Sequence, residues 1–360
     1  MDTGLKYLNL ANWIRENIEN NTFKVGEKLI SENQLCERFA ISRQTVRQAI
    51  AILEKEGLVT RRRGSGTYIN DSGKEKSPLT GNIGLITTYL DDYIFPSIIS
   101  GVEKVLSKKN YNMLLRLTRN KVHNERLQLL TLLDSDVDGL IVEGTKTALP
   151  NPNLDLYRKF LEHDIPVIFI NAYYPEMPCN FIVNDDVLGA RLATRSLIEH
   201  GHEKIAGIFK HDDLQGNWRY KGFIDEMYEH NLPVDDQRLL WFSTESQDDL
   251  FTLEKLPFLM KIIKDSTAVI CYNDQIAMKL IQLINQDFPP RGLSFVSFDN
   301  SPLGNMSVIP LSSITHPGKE LGKMAAESIL TMIENPSYKV CHTFEPLLVQ
   351  RDSIHKIAQD

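Results

Sequence analysis

The sequence predicts a winged helix-turn-helix domain followed by a larger α/β domain made of two parallel-sheet lobes. Three observations carry this. At 360 residues the chain exceeds one ordinary domain. Residues 1–70 hold short capped helical patterns and then two strands joined by a glycine turn. Beyond residue 82, apolar strand-like runs alternate with helical ones, the rhythm of parallel strands covered by helices on both faces.

In the first domain, Tyr7 to Ile18 places Leu8, Leu10, Ala11, Ile14 and Ile18 on one helical face. Gly26 interrupts the pattern. Ser31 with Gln34 three places on is a capping box, which starts a second helix running to about Phe39. Ser42 is a second N-cap, and Thr45, Val46, Ala49, Ile50 and Leu53 continue a third helix up to Gly57. Leu58 to Arg63 reads as a strand, Gly64-Ser65-Gly66 as a turn and Thr67 to Ile69 as the return strand.

The third helix exposes Arg43, Gln44, Arg47 and Gln48 near its start. Arginine reads guanine in bidentate fashion and glutamine suits adenine. A helix N-terminus also offers backbone N–H groups to phosphate. Arg61, Arg62 and Arg63 form a cationic strand beside glycines that let the backbone approach a sugar-phosphate edge. Taken alone, that run also reads as a solvated face. Charge agrees with a nucleic-acid head: residues 1–70 carry 11 Lys+Arg against 8 Asp+Glu, while the rest carries 29 against 39.

Residues 71–81 are polar, with Gly73 and Pro78, and read as a linker. The body, 82–360, then offers strands at 82–88, 113–117, 139–143, 166–171, 204–209, 239–242, 268–272 and 293–298. Helices fall between them at 94–108, 124–133, 154–163, 186–200, 218–230, 250–264 and 276–285. A parallel sheet binds ligands beyond the carboxyl ends of its strands. Tyr93, Arg116, Glu143, Lys146, Tyr173, Asn273 and Asp299 fall there, as does the stretch Lys210-His211-Asp212-Asp213. Carboxylates, amides, cations and aromatic rings together suit a small, polyhydroxylated ligand. Each Asp or Asn read singly serves equally well as a helix N-cap.

The head resembles the DNA-binding domain of GntR-type bacterial regulators through Lys28-Leu29-Ile30-Ser31-Glu32-Asn33-Gln34-Leu35, Ile41 to Ala49, Glu56-Gly57-Leu58-Val59 and Gly64 to Ile69. It departs at Ile30, where that family often has proline. The resemblance implies DNA contacts from Lys6, Ser31, Glu32, Ser42, Arg43, Gln44, Thr45, Arg47, Arg61, Arg62, Arg63, Gly64 and Gly66. The body resembles the periplasmic-binding-protein-like domain of LacI-type regulators. Asp138 to Val142, Val183 to Ala190, Gly201 to Ala206, Arg219 to Phe223, Asn273 to Ala277 and Phe298-Asp299-Asn300 carry that likeness. It implies effector contacts from Asp185, Arg219, Asn273 and Asp299. It also implies crossings between lobes near His202, Asn300 and Lys339, giving one lobe of 82–202 and 301–338 and another of 203–300 and 339–360.

A GntR-type head on a LacI-type body is similar to the arabinose-responsive repressors of Gram-positive bacteria. That likeness implies a cytoplasmic homodimer, bound to operator double-stranded DNA and released by a small sugar, L-arabinose. The residues themselves leave another pentose or carbohydrate open. No apolar run approaches the ~20 residues that span a bilayer, so no membrane role is expected. Met1 to Asn20 lacks a secretory apolar core. Cys36, Cys179, Cys271 and Cys341 are scattered without a CxxC spacing, so neither cofactor nor metal is expected. A sugar-modifying enzyme would need a nucleophile–base pair or two opposed carboxylates at the bond to be cut; the sequence has candidate carboxylates but no GxSxG, P-loop or HExxH signature, so an enzyme is not expected. A sugar-transport protein would need a leader and no DNA-reading head.

Overall fold

The computed structural model describes residues 3–19, 22–62, 65–70, 79–90, 93–287 and 292–357. The chain divides into two units, Met1–Leu79 and Thr80–Asp360. The expected linker falls mainly at 71–78, outside the described residues.

The first unit contains α1 (Thr3–Glu19), α2 (Glu32–Phe39), α3 (Arg43–Lys55), β1 (Val59–Arg62) and β2 (Gly66–Ile69). β1 and β2 pair antiparallel, and Lys28 bridges to Tyr68 to widen the wing. Leu10, Ile14, Leu35, Val46, Ile50, Leu53, Val59 and Ile69 form the core. Both serine caps form. Ser31 Oγ accepts from the Gln34 amide at 3.3 Å, while the Ser31 amide donates to Gln34 Oε1 at 2.9 Å. Ser42 Oγ accepts from the Thr45 amide at 3.2 Å. Ser42→Ala is expected to cost about 1 kcal/mol of α3 stability. Amide exchange of α3 in the full chain should then quicken about fivefold; an unchanged rate would show that the cap is not needed.

The second unit begins with β3 (Asn82–Thr87), α4 (Phe95–Lys108), β4 (Asn112–Leu117), α5 (Val122–Leu133), β5 (Gly139–Val142), α6 (Leu154–Glu162), β6 (Val167–Ile170) and β7 (Asn180–Asn184). It continues with α7 (Asp186–Glu199), β8 (Ile205–Lys210), α8 (Leu214–Glu229), β9 (Leu239–Phe242), α9 (Gln247–Leu250), α10 (Leu256–Ile263), β10 (Ala268–Cys271), α11 (Asp274–Asp287), β11 (Ser294–Asp299), α12 (Pro302–Asn305) and β12 (Ser312–Thr315). It closes with α13 (Gly318–Glu334), β13 (Cys341–Phe344) and β14 (Leu348–Val349).

Two six-stranded sheets result, in the orders β13-β7-β6-β5-β3-β4 and β14-β12-β11-β10-β8-β9. Only the β12–β14 pair within them is antiparallel. Each sheet is covered on both faces, which explains strands such as β5, β6 and β10 that are buried throughout. α4 and α13 pack on one face of the first sheet through Ile98, Leu106, Leu321 and Ile329. That contact is close because Gly101 and Gly322 meet the opposing backbone at Lys319 and Ile98, where a Cβ would collide.

Strand pairing places the lobe crossings elsewhere than His202, Asn300 and Lys339. β7 ends in the first sheet and α7 packs on α8 in the second lobe, so the first crossing is at Asp185. β12 belongs to the second sheet and α13 packs on α4, which puts the second crossing at 316–317. β13 and β14 lie in different sheets, so the third is at 345–347. The lobes are therefore 80–184 with 318–344, and 186–315 with 348–357. The three crossing segments hold one another. The Asp185 amide donates to Phe344 O at 3.0 Å, Asn184 Nδ2 to Thr315 O at 3.2 Å, and the Thr315 amide to Leu347 O at 2.8 Å.

Candidate functional site

On the head, α3 turns Arg43, Gln44, Arg47 and Gln48 outward. Arg43 Nη2 donates to Asn33 Oδ1 at 2.7 Å, and Arg47 Nε donates to Glu32 Oε2 at 3.0 Å. Arg61 Nη2 donates to Arg47 O at 3.1 Å, with Glu54 at 3.7 Å from its Nε. The Arg62 guanidinium lies 4.6 Å over the Tyr68 ring. Exposed pairs of this kind contribute at most about 1 kcal/mol, so a phosphate or base edge can displace them. Lys6 is exposed on α1.

Five of the expected DNA contacts also have structural work. Ser31 and Ser42 are caps. Thr45 is 8% exposed and its hydroxyl lies 2.8 Å from that of Ser42. Glu32 holds Arg47, and its carboxylate would be repelled by phosphate. Gly66 has a φ of 127°, a conformation open to glycine, and a Cβ there would meet the Lys28 side chain. Arg63 and Gly64 lie outside the described residues.

The body has a cleft of about 380 Å³ between its lobes. Thr88, Tyr89, Phe95 and Glu143 line it from the first lobe; Lys210, Asp213, Arg219, Tyr272, Asn273 and Asp299 line it from the second. Nearly all follow a strand's carboxyl end; Arg219 comes from the second turn of α8, which starts at Leu214. Arg219, 2% exposed, is the hub. Its Nε donates to Asp186 Oδ1 at 2.7 Å, its Nη1 donates to Tyr272 O, and its Nη2 stands 3.5 Å from Asp299 Oδ1. Its guanidinium carbon sits 4.4 Å from the Phe298 ring centre and 4.9 Å from that of Tyr272. Tyr93 donates across the cleft to Asp299 Oδ2. Lys210 Nζ is 3.0 Å from Asp213 Oδ2, which also accepts from the Tyr272 hydroxyl at 2.7 Å. Glu143 accepts from the Thr88 amide at 2.9 Å, the Thr88 hydroxyl at 2.7 Å and Asn171 Nδ2 at 3.1 Å.

Burial dominates the electrostatics. It pushes Glu143 up to about 7 against the pull of its Thr88 and Asn171 hydrogen bonds. It pushes Asp186 up to about 6 although Arg219 opposes it. Asp299 also rises by burial, opposed by Arg219. For Lys210, burial works against the charge, but Asp213 and Asp212 outweigh it and the group stays above its usual range. The cleft thus presents acceptors and donors in fixed orientation beside aromatic and apolar side chains, which suits hydroxyl groups and ring C–H faces. Among the described residues, no group of three His, Cys, Asp or Glu side chains is placed to hold a metal.

Of the expected effector residues, Glu143, Arg219, Asn273 and Asp299 line the cleft, and Tyr93 reaches it through Asp299. Arg116 does not line it: its Nη1 folds back to Leu115 O at 3.0 Å on the edge strand β4. Tyr173 stacks on Phe181, ring centres 4.3 Å apart. Asp185 caps α7 by accepting from the Leu188 amide at 2.9 Å. Lys146 lies outside the cavity lining and pairs across to Glu245. Sequence reasoning missed Lys210 and Asp213, which it placed at a strand end without choosing among the four residues there. It missed Asp186, one residue past its choice; the step from cap to first turn swings a side chain ~100° around the helix.

The comparisons accord with this architecture. Residues 6–69 match the family described as bacterial regulatory proteins, gntR family, and residues 194–354 match the periplasmic binding protein-like domain. The chain is 40% identical to the arabinose metabolism transcriptional repressor of Halalkalibacterium halodurans, over 91% of this chain and 90% of that one. It is 38% identical to the arabinose metabolism transcriptional repressor of Geobacillus stearothermophilus, over 98% of each. In fold it is similar to a LacI family transcriptional regulator from Enterococcus faecium with bound ribose. That likeness has a TM-score of 0.65 at 21% identity, covering 77% of this chain and 100% of that one.

Proposed function

This chain belongs to the arabinose metabolism transcriptional repressors, a gntR-family head on a periplasmic-binding-protein-like body, and from that premise we propose that it binds operator DNA as a homodimer and is released by L-arabinose. Its place of work is the cytoplasm, and it turns over no substrate. Arg43, Gln44 and Arg47 read bases from α3, while Arg62 and its neighbours on the wing meet phosphates. The effector sits among Glu143, Lys210, Asp213, Arg219, Asn273 and Asp299. One observation supports this reading above the others: cations and carboxylates from α8, β8 and β11 converge, buried and mutually bonded, in a cleft lined by both lobes. A ligand bridging that cleft favours the shut form, and only such differential binding shifts an equilibrium. The shut form no longer holds two heads at the spacing of two half-sites.

The test is a titration of the full chain against a palindromic duplex selected from a random pool, with sugars added in turn. L-arabinose should weaken binding, and equal affinity with and without it would defeat the reading. Within the same assay, Arg62→Ala should reduce the salt slope of log affinity by about one. Arg47→Ala should cost roughly 1–3 kcal/mol and relax preference at one base pair. An unchanged slope and an unchanged base preference would place both side chains away from DNA.

A further inference from the structure

The edge of the cleft carries contacts that join the lobes, some from residues that line the cavity, Asn120 and Thr244, and some from residues outside it. From the first lobe, the Lys146 ammonium donates to both oxygens of Glu245, at 2.7 and 2.9 Å, and stands 3.5 Å from Asp212. Thr147 Oγ1 accepts from the Leu214 amide at 3.0 Å, and Asn120 Nδ2 donates to Thr244 Oγ1. Neither Lys146 nor Glu245 lines the cavity.

Both arms are anchored in their own lobes. Lys146 has a φ of 47°, backbone that a residue with a Cβ adopts at a cost. Its amide donates to Asn120 Oδ1 at 2.8 Å, and the preceding Thr145 amide donates to the buried Glu125 at 3.3 Å. That carboxylate also accepts from the Tyr157 and Tyr174 hydroxyls at 2.8 and 2.7 Å, which fixes the root of the loop. On the opposite lobe the Thr244 amide donates to Asp212 Oδ2 at 3.0 Å. Asp212 Oδ1 is buried and receives no hydrogen bond from the described residues, so Lys146 and Lys210 compensate its charge. Strained, doubly anchored backbone that aims an ammonium across the gap at two carboxylates has a use only when the lobes are together.

We propose that Lys146, with Asn120 and Thr147, clasps the loops of Asp212 and Thr244–Glu245 and thereby sets the fraction of molecules whose cleft is shut before any sugar arrives. Lys146 is then a positioning residue for the effector and does not touch it. This rests on the reading that sugar favours the shut cleft and that the shut form lets go of DNA. Apparent sugar affinity scales with the shut fraction. The Lys146 side chain is 15% exposed beside a fully buried Asp212, so solvent screens the pair only in part. Opening the clasp should weaken sugar binding about fivefold and strengthen operator binding in the absence of sugar. Loss of a direct sugar contact would do the first without the second.

The experiment compares wild type, Lys146→Met, Glu245→Gln and Lys146→Arg in the full chain. Three quantities are read: the L-arabinose dissociation constant, operator affinity without sugar, and exchange of the Leu214 amide without sugar. Leu214 opens α8, where an amide has no acceptor within the helix, so its bond to Thr147 reports the clasp directly. Lys146→Met and Glu245→Gln should speed Leu214 exchange, raise the sugar constant about fivefold and tighten operator binding; Lys146→Arg should stay near wild type. Leu214 exchange at the wild-type rate in both neutral variants overturns the proposal, whatever the sugar constant does. Faster exchange in a protein that ignores L-arabinose would keep the clasp and overturn the choice of sugar.

Discussion

Arg219→Ala should remove about 3–5 kcal/mol from the stability of the body and leave it unresponsive to L-arabinose. The guanidinium sits 2.7 Å from Asp186 and 3.5 Å from Asp299, and all three side chains are buried. Removing the cation leaves two carboxylates enclosed with no compensating charge, which costs more than the pair ever contributed. Urea unfolding measures the loss. Adding Asp186→Asn to Arg219→Ala removes one orphaned charge and should recover part of the stability without restoring the sugar response. That split separates folding from binding. An Arg219→Ala protein that unfolds at the wild-type urea concentration would mean that the buried triad carries no net charge coupling.

The second large effect is on pH. Glu143 titrates at about 7 in the folded chain against an ordinary 4.5, because burial disfavours its charge. Between those values the folded state binds more protons than the unfolded state, so stability falls as pH rises through that window. The loss approaches about 3 kcal/mol and is complete above pH 7. Asp186, raised to about 6 from 3.8, adds a loss of the same sign at lower pH. Unfolding free energy measured from pH 4.5 to 8 should therefore slope downward, and Glu143→Gln should flatten its upper part. A sugar hydroxyl donating to Glu143 favours the ionised form, so binding near pH 7 should release a proton. Calorimetry in two buffers of different ionisation heat detects it. A pH profile unaffected by Glu143→Gln would contradict the assignment.

Local signals were the legible ones. Ser31 and Ser42 start α2 and α3 where a capping side chain must stand, and the structure starts both helices there. Strand ends were legible because apolar runs locate them, which put Glu143, Asn273 and Asp299 at the right end of the sheet; family likeness also pointed to Asn273 and Asp299. Arg219 came through family likeness, since nothing local distinguishes it from other helical arginines. Long-range features were hidden. β7, β12, β13 and β14 have no local signature of lobe membership, which only their pairing partners decide. For that reason the crossings expected near His202, Asn300 and Lys339 moved to 185, 316–317 and 345–347. The helix expected at 250–264 is broken instead into α9, a short 3-10 turn and α10. Pro257 lacks an N–H, which the first turn of α10 can spare and the interior of a longer helix cannot. Lys146 and Asp185 were legible as polar residues at the right end of the sheet; that they clasp and cap depends on what stands opposite.

The central claim is that occupancy of this cleft by L-arabinose releases DNA bound by the head. Asp299→Asn tests it most directly. Asp299 has a φ of 93°, backbone that asparagine tolerates better than most residues, and the change removes one charge from the cleft while leaving the head untouched. The measurement is operator affinity with and without saturating L-arabinose, for wild type and Asp299→Asn. The account predicts equal affinity of the two proteins without sugar, a large loss for wild type with sugar, and little or no loss for the variant. Release of Asp299→Asn at the same L-arabinose concentration as wild type would contradict it.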